Sequence, residues 1–223
     1  MRTILVDTAG PVVGVASFVG ARCVAQAHRR IVNGADAWLA PELYAQLASL
    51  GGLDRVAVSV GPGAFTGVRV GVALAQGLAY ARGVELVGLS SLAVRACAVG
   101  EGPTRALALL DARKGKVYAG LYVLAAGGVP ALLDAEEDLT PDELLAGLAA
   151  RRVSLDTMVA VGEGAVVHAD FLRAHGITVA DDAGESPVAH AGALLTGSIG
   201  GPAESLVLRY LRDAESVVTV KAR

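Results

Sequence analysis

Residues 56–82 read VAVSVGPGAFTGVRVGVALAQGLAYAR, and the fold turns on this stretch. Val56–Val60 is a short apolar run of strand character. Gly61-Pro62-Gly63 follows, a turn that no regular element crosses, because Pro62 lacks an N–H and glycine accepts positive φ. Thr66 is placed to cap a helix with its hydroxyl, and nothing stronger than three glycines interrupts that helix before Arg82. The stretch predicts strand, tight turn, helix.

Glycine turns ahead of helices often hold phosphate, since free N–H groups and the helix dipole converge there. Two known forms do not fit. A Walker loop requires a lysine, and none lies between Gly61 and Arg82. The dinucleotide pattern requires a glycine where Thr66 stands, and Gly67 comes one place late. The helix carries a different feature: Gly67, Gly71, Ala75 and Ala79 recur every four residues and form a smooth stripe, with Val68, Val72 and Leu78 beside it. Such a stripe admits a close neighbour, which is either the protein's own sheet or a second helix from a partner.

Working outward, the chain reads β-β-β-α-β-α-β-α up to Val99. The strands are expected at Thr3–Thr8, Val12–Val19, Cys23–His28, Val56–Val60 and Glu85–Leu89. The helices are expected at Trp38–Leu50, Thr66–Arg82 and Ser91–Val99. Three adjoining strands followed by strand–helix units imply a mixed sheet with helices on its faces. An internal repeat supports a duplication: Leu5–Val19 aligns with Leu109–Val123, and Asp7 falls opposite Asp111. Beyond it, residues 134–138 read as loop. Thr140-Pro141-Asp142-Glu143 reads as a capping box with proline at the first helical position. A strand at Thr157–Val161, a turn at Gly162-Glu163-Gly164, a helix Ala165–Ala174, a strand Ile177–Ala180 and a helix Pro187–Ile199 complete the expectation.

The core stretch GPGAFTGVRVGVALAQGLAYA resembles the signature of the TsaB (YeaZ) family, GPGSFTGxRxGxxxAxGLA, with Ala64 in place of serine. DARKGKVYAGLY at residues 111–122, VGEGA at 161–165 and the tail LVLRYLRDAE at 206–215 resemble further family segments. The resemblance implies a duplicated actin-like (ribonuclease-H-like) α/β fold with a reduced second half, divided here as residues 1–102 and 103–223. It implies a subunit without an active site or cofactor of its own. That subunit would pair with TsaD through its first two helices and engage the ATPase TsaE through the complex. The modification is threonylcarbamoyl transfer to a tRNA adenosine beside the anticodon, with tRNA met only through the complex. The expected partner surface comprises Trp38, Leu43, Leu47 and Leu50 on the first helix. On the second it comprises Thr66, Gly67, Val68, Gly71, Val72, Ala75, Leu78 and Ala79. The same surface would form a homodimer when TsaD is absent.

The remaining candidates are weaker. In actin-like ATPases, carboxylates placed like Asp7 and Asp111 hold magnesium; an aspartate at a turn more commonly accepts nearby N–H groups. Gly162 and Gly164 sit where such ATPases hold adenosine, and a plain turn explains them equally well. His28, His168, His175 and His190 show no metal-ligand spacing, which argues against a metallopeptidase. The alternative function is a small actin-like ATP-dependent phosphotransferase using Asp7 and Asp111. A net charge of −3 and scattered arginines lack the basic footprint of a chain that holds nucleic acid alone. Cys23 and Cys97 lie in apolar surroundings, as buried thiols of a reducing cytoplasm do. Arg2-Thr3 leads into a strand and not into a signal peptide, and Val70–Tyr80 is too short to span a bilayer. A cytoplasmic protein is expected.

Overall fold

A computed structural model describes residues 1–31, 35–99, 105–124, 128–181, 183–185 and 187–211. The expected junction near residue 102 lies outside the described residues, as does the end of the tail motif from Arg212 onward.

The first half forms a five-stranded sheet. Its strands are β1 (Arg2–Asp7), β2 (Val12–Val19), β3 (Arg22–Arg30), β4 (Arg55–Ser59) and β5 (Glu85–Leu89). They run in the order β3-β2-β1-β4-β5, with β1, β2 and β3 antiparallel and β4 and β5 parallel to β1. The second half repeats the plan. Its strands are β6 (Arg105–Arg113), β7 (Lys116–Leu124), β8 (Pro130–Leu132), β9 (Glu137–Leu139), β10 (Met158–Val161) and β11 (Thr178–Val179). Their order is β11-β10-β6-β7-β8, with β9 also on β7 and with β10 parallel to β6. An antiparallel hairpin, a further antiparallel strand and two parallel strands thus recur in the same order. This is the duplicated actin-like fold.

The pleat divides the first core into two faces. Ile4, Val6, Val13, Val15, Val56 and Val58 point to one face, beneath the helices α1 (Ala35–Leu50) and α2 (Phe65–Arg82). Leu5, Ala16, Phe18, Ala57 and Val87 point to the other, where Val188, Ala191 and Leu195 cover them and α3 (Ser91–Ala96) adds Val94. Central strands are therefore apolar on both sides, whereas β3, at the edge, alternates exposed and half-buried residues up to Ala27 and then ends in three exposed ones.

The Gly/Ala stripe of α2 faces this sheet, which corrects the expectation that it is a partner surface. Val68, Gly71, Val72, Ala75 and Ala79 are buried. The physical reason is close approach: the Thr8 hydroxyl, just past β1, donates to the Gly67 carbonyl at 2.7 Å. A Cβ at Gly71 would run into that same threonine side chain. Leu43 and Leu47 are likewise buried in the core. Trp38, Leu50 and Leu78 pack against its margin, half-buried.

Thr66 is not the cap of α2. The cap position is Ala64, whose N–H is held by the Ala9 carbonyl at 2.8 Å, so the helix starts earlier and Thr66 stands exposed in its first turn. In the second half, α4 (Pro141–Ala150) begins with the expected capping box between Thr140 and Glu143. The single helix expected at residues 165–174 is two, α5 (Glu163–Val167) and α6 (Ala169–Ala174), broken at His168. Part of the expected acidic loop is paired instead, as Glu137–Leu139 joins β7. A last helix, α7 (Gly192–Gly197), follows a 3-10 turn at Pro187–His190.

Candidate functional site

β1 delivers Asp7 to the junction of the two halves, where it is fully buried. One carboxylate oxygen accepts from the Ala9 N–H at 2.9 Å. The other accepts from Arg95 Nη1, also at 2.9 Å. Arg95 comes from α3, a helix of the first half that Ser90 caps with its hydroxyl. Its Nη1 also donates to the Ser91 carbonyl, and its Nε and Nη2 grip Glu163 at 2.7 and 2.9 Å.

Glu163 belongs to the second half. Gly162, at φ 93°, turns the chain after β10 so that α5 starts against the backbone of β6. A Cβ at Gly164 would lie 2.9 Å from the Leu109 and Leu110 carbonyl carbons. Both glycines therefore serve close packing that puts Glu163 on the guanidinium. Side-chain exposure of the three charged residues is 1% for Asp7, 1% for Arg95 and 3% for Glu163. The two carboxylates raise the pKa of Arg95 despite its burial, so it stays charged. The turn at Gly10 closes over them, because a side chain there would meet both Glu163 and Arg95.

Asp111 is different. It is partly exposed, and its carboxylate accepts from the Arg113 N–H at 2.8 Å within its own turn. Asp7 and Asp111 therefore do not share a partner. Among the described residues, no group of three or more His, Cys, Asp or Glu side chains could hold a metal ion. Cys97 is buried, and that burial pushes its thiol up to about 12; Cys23 is half-buried and free.

The sequence reading did not single out Arg95 or Glu163. Each left a trace. Arg95 is the one charged residue in SLAVRA, an otherwise short apolar helix, and Glu163 is an acid between two turn glycines.

Glu136 is a third buried carboxylate. Glu136, between β8 and β9, accepts from the Tyr122 hydroxyl of β7 and from the Ser90 hydroxyl of α3. Burial and the Glu136 charge push the Tyr122 phenol up. The tail reaches the same place: Arg209 lies 3.4 Å from the second Glu136 oxygen.

The surface of α1 and α2 opposite the sheet carries Ala37, Ala40, Tyr44, Ala45 and Ala48 from α1. From α2 it carries Thr66, Ala73, Gly77 and Tyr80. Tyr44 is 72% exposed and Tyr80 82%, and the residues around them are mostly small. No described helix is long and apolar enough to cross a membrane.

Two repeated halves, joined through an arginine that neutralises the carboxylate at the end of the first strand, define an actin-like protein with an internally paired interdomain site. A family model described as TsaD, tRNA N6-adenosine threonylcarbamoyltransferase, matches residues 24–156, more than half of the chain. The chain belongs to that family, and within it to the TsaB (YeaZ) proteins. It is 41% identical over 83 residues to the tRNA threonylcarbamoyladenosine biosynthesis protein TsaB of Escherichia coli, covering 36% of each chain. It is 40% identical over 70 residues to TsaB of Bacillus subtilis, covering 31% of each. The matches thus span about a third of these curated relatives. In three dimensions it resembles YeaZ from Pseudomonas aeruginosa at a TM-score of 0.73 and 26% identity, over 94% of this chain and 99% of that one. A second Pseudomonas aeruginosa structure, an uncharacterized protein similar to peptidase YeaZ, gives a TM-score of 0.76 at 27% identity, over 95% of this chain and 99% of that one.

Proposed function

We propose that this chain is a non-catalytic cytoplasmic subunit that pairs with TsaD and supports threonylcarbamoyl transfer to tRNA adenosine. TsaE and tRNA engage it only through the assembly. The observation that carries this reading is the Asp7–Arg95–Glu163 triad. Both oxygens of Asp7 are taken, by the Ala9 N–H and by Arg95, so a metal or a phosphate there would first require a buried ion pair to be broken. The alternative, an actin-like phosphotransferase, requires Asp7 and Asp111 to act together; Asp7 is committed to Arg95 and Asp111 to its own turn.

The pairing surface is the outer face of α1 and α2, not the buried stripe. Exposed tyrosines among small residues suit close helix packing with aromatic anchors. A second copy occupies this face when TsaD is absent. Sedimentation velocity with TsaD titrated into the chain tests the reading. A homodimer should give way to a heterodimer, and Ala73→Arg with Gly77→Arg should abolish both while the circular dichroism spectrum is kept. Unaltered pairing by those variants, or magnesium-dependent ATP turnover by the isolated chain, would defeat the proposal.

A further inference from the structure

We infer that Leu206–Leu211 is a strap that closes over the junction of the two halves, with Arg209 and Glu136 as its catch. The strap returns along the first half. The Ala203 carbonyl ahead of it accepts from Gln76 of α2 at 3.0 Å. Leu206 and Leu208 pack against the core beneath α2. The Arg209 N–H donates to the Val60 carbonyl at 2.8 Å, beside the glycine turn. Tyr210 lies 5.4 Å from the Phe65 ring, and its hydroxyl accepts from Arg69 Nε at 3.1 Å. The Arg69 guanidinium covers the Phe65 ring at 3.7 Å.

Arg209 reaches across to the second half. The Glu136 side chain is 1% exposed, and two hydroxyls occupy its first oxygen. Its second oxygen has no hydrogen-bond partner among the described residues and faces the Arg209 guanidinium. A buried carboxylate without a counter-charge is costly, so the pair holds the strap and the strap neutralises the acid. Ser90, Val60 and Phe65 belong to the first half, whereas Tyr122 and Glu136 belong to the second. The seat is therefore complete only when the halves stand in this arrangement. Strap closure and the fit of the halves are linked.

Hydrogen exchange of the full chain, read by mass spectrometry, tests this with Arg209→Met, Glu136→Gln and the double variant. Residues 206–211 should be protected in the parent protein. Each single substitution should speed their exchange about tenfold, the loss expected for one charge-assisted contact. Arg209→Met should also lower Tm, because Glu136 is left buried and unpaired. The double variant should recover that Tm while the strap stays fast, an outcome that a tail serving only as packing would not produce. Unchanged strap exchange in both single variants would overturn the inference. So would parent exchange at the rate of a free peptide, or a double variant no more stable than Arg209→Met.

Discussion

Replacing Arg95 by methionine removes a guanidinium but keeps most of the side-chain volume, so the charge is tested apart from the packing. In the parent protein Arg95 supplies one contact to Asp7 and two to Glu163, both carboxylates being almost wholly shielded from water. Deleting one partner of a buried ion pair costs about 3–5 kcal/mol, and here two acids lose the same partner. Domain stabilities are about 5–15 kcal/mol, so about a fifth or more is at stake. With a urea dependence of about 2 kcal/mol per molar, the midpoint should fall by about 1.5–2.5 M. Trp38 is the only tryptophan, and its fluorescence reports the unfolding of the first half. A companion variant carrying Asp7→Asn, Arg95→Met and Glu163→Gln together should recover most of the loss, since this cluster then holds no charge. A midpoint shift under about 0.5 M in Arg95→Met, or no recovery in the companion, would refute the reasoning that Arg95 neutralises this junction.

Other outcomes follow from the packing and the titrating groups. Gly71→Leu forces a side chain into Thr8 and should cost about 3 kcal/mol, whereas Ala146→Leu, exposed on α4 and away from the pairing face, should melt with the parent protein. Asp54 is held down to about 2 by its hydrogen bonds from Arg2, below an ordinary value of 3.8. A depressed carboxylate stabilises the fold above its unfolded value, and that contribution is lost as pH falls from about 4 towards 2. Asp54→Asn should therefore flatten the stability–pH profile in that window, and a carbon-detected titration of Asp54 should give the low value directly. Cys97, raised to about 12, should resist a thiol-specific disulfide reagent at pH 8 in the folded chain and react on unfolding. Thr140→Ala breaks the capping box of α4 and should cost about 1 kcal/mol, read from thermal melts.

Much of the architecture was legible because local chemistry and tertiary packing agree there. The short apolar runs of β1 and β2, the capping box at Thr140 and the repeat around Asp7 and Asp111 each point to the element that forms. The direction in which α2 faces was not legible. A stripe of glycine and alanine suits any close neighbour, and only the position of Thr8 decides for the sheet. Helix breaks at His168 and after Pro187 depend on packing against β6 and β2, which periodicity does not encode. The charged junction was partly hidden for a further reason. Asp7 stood out at a strand end, but its partners lie 88 and 156 residues further along the chain, and no spacing rule links them.

The two margins of the first sheet are guarded differently. At β3, Arg22, Gln26, His28, Arg29 and Arg30 crowd the outer strand with charged and polar groups. At β5 the incoming chain seals the opposite margin, as Leu86 and Gly201 exchange backbone bonds of 2.9 and 3.1 Å. Strand-by-strand growth from molecule to molecule needs a bare, flat rim, and neither margin supplies one. With both margins closed to strand addition, the helical face proposed for pairing meets no competing route through this sheet, which favours a closed pair over an open-ended fibre.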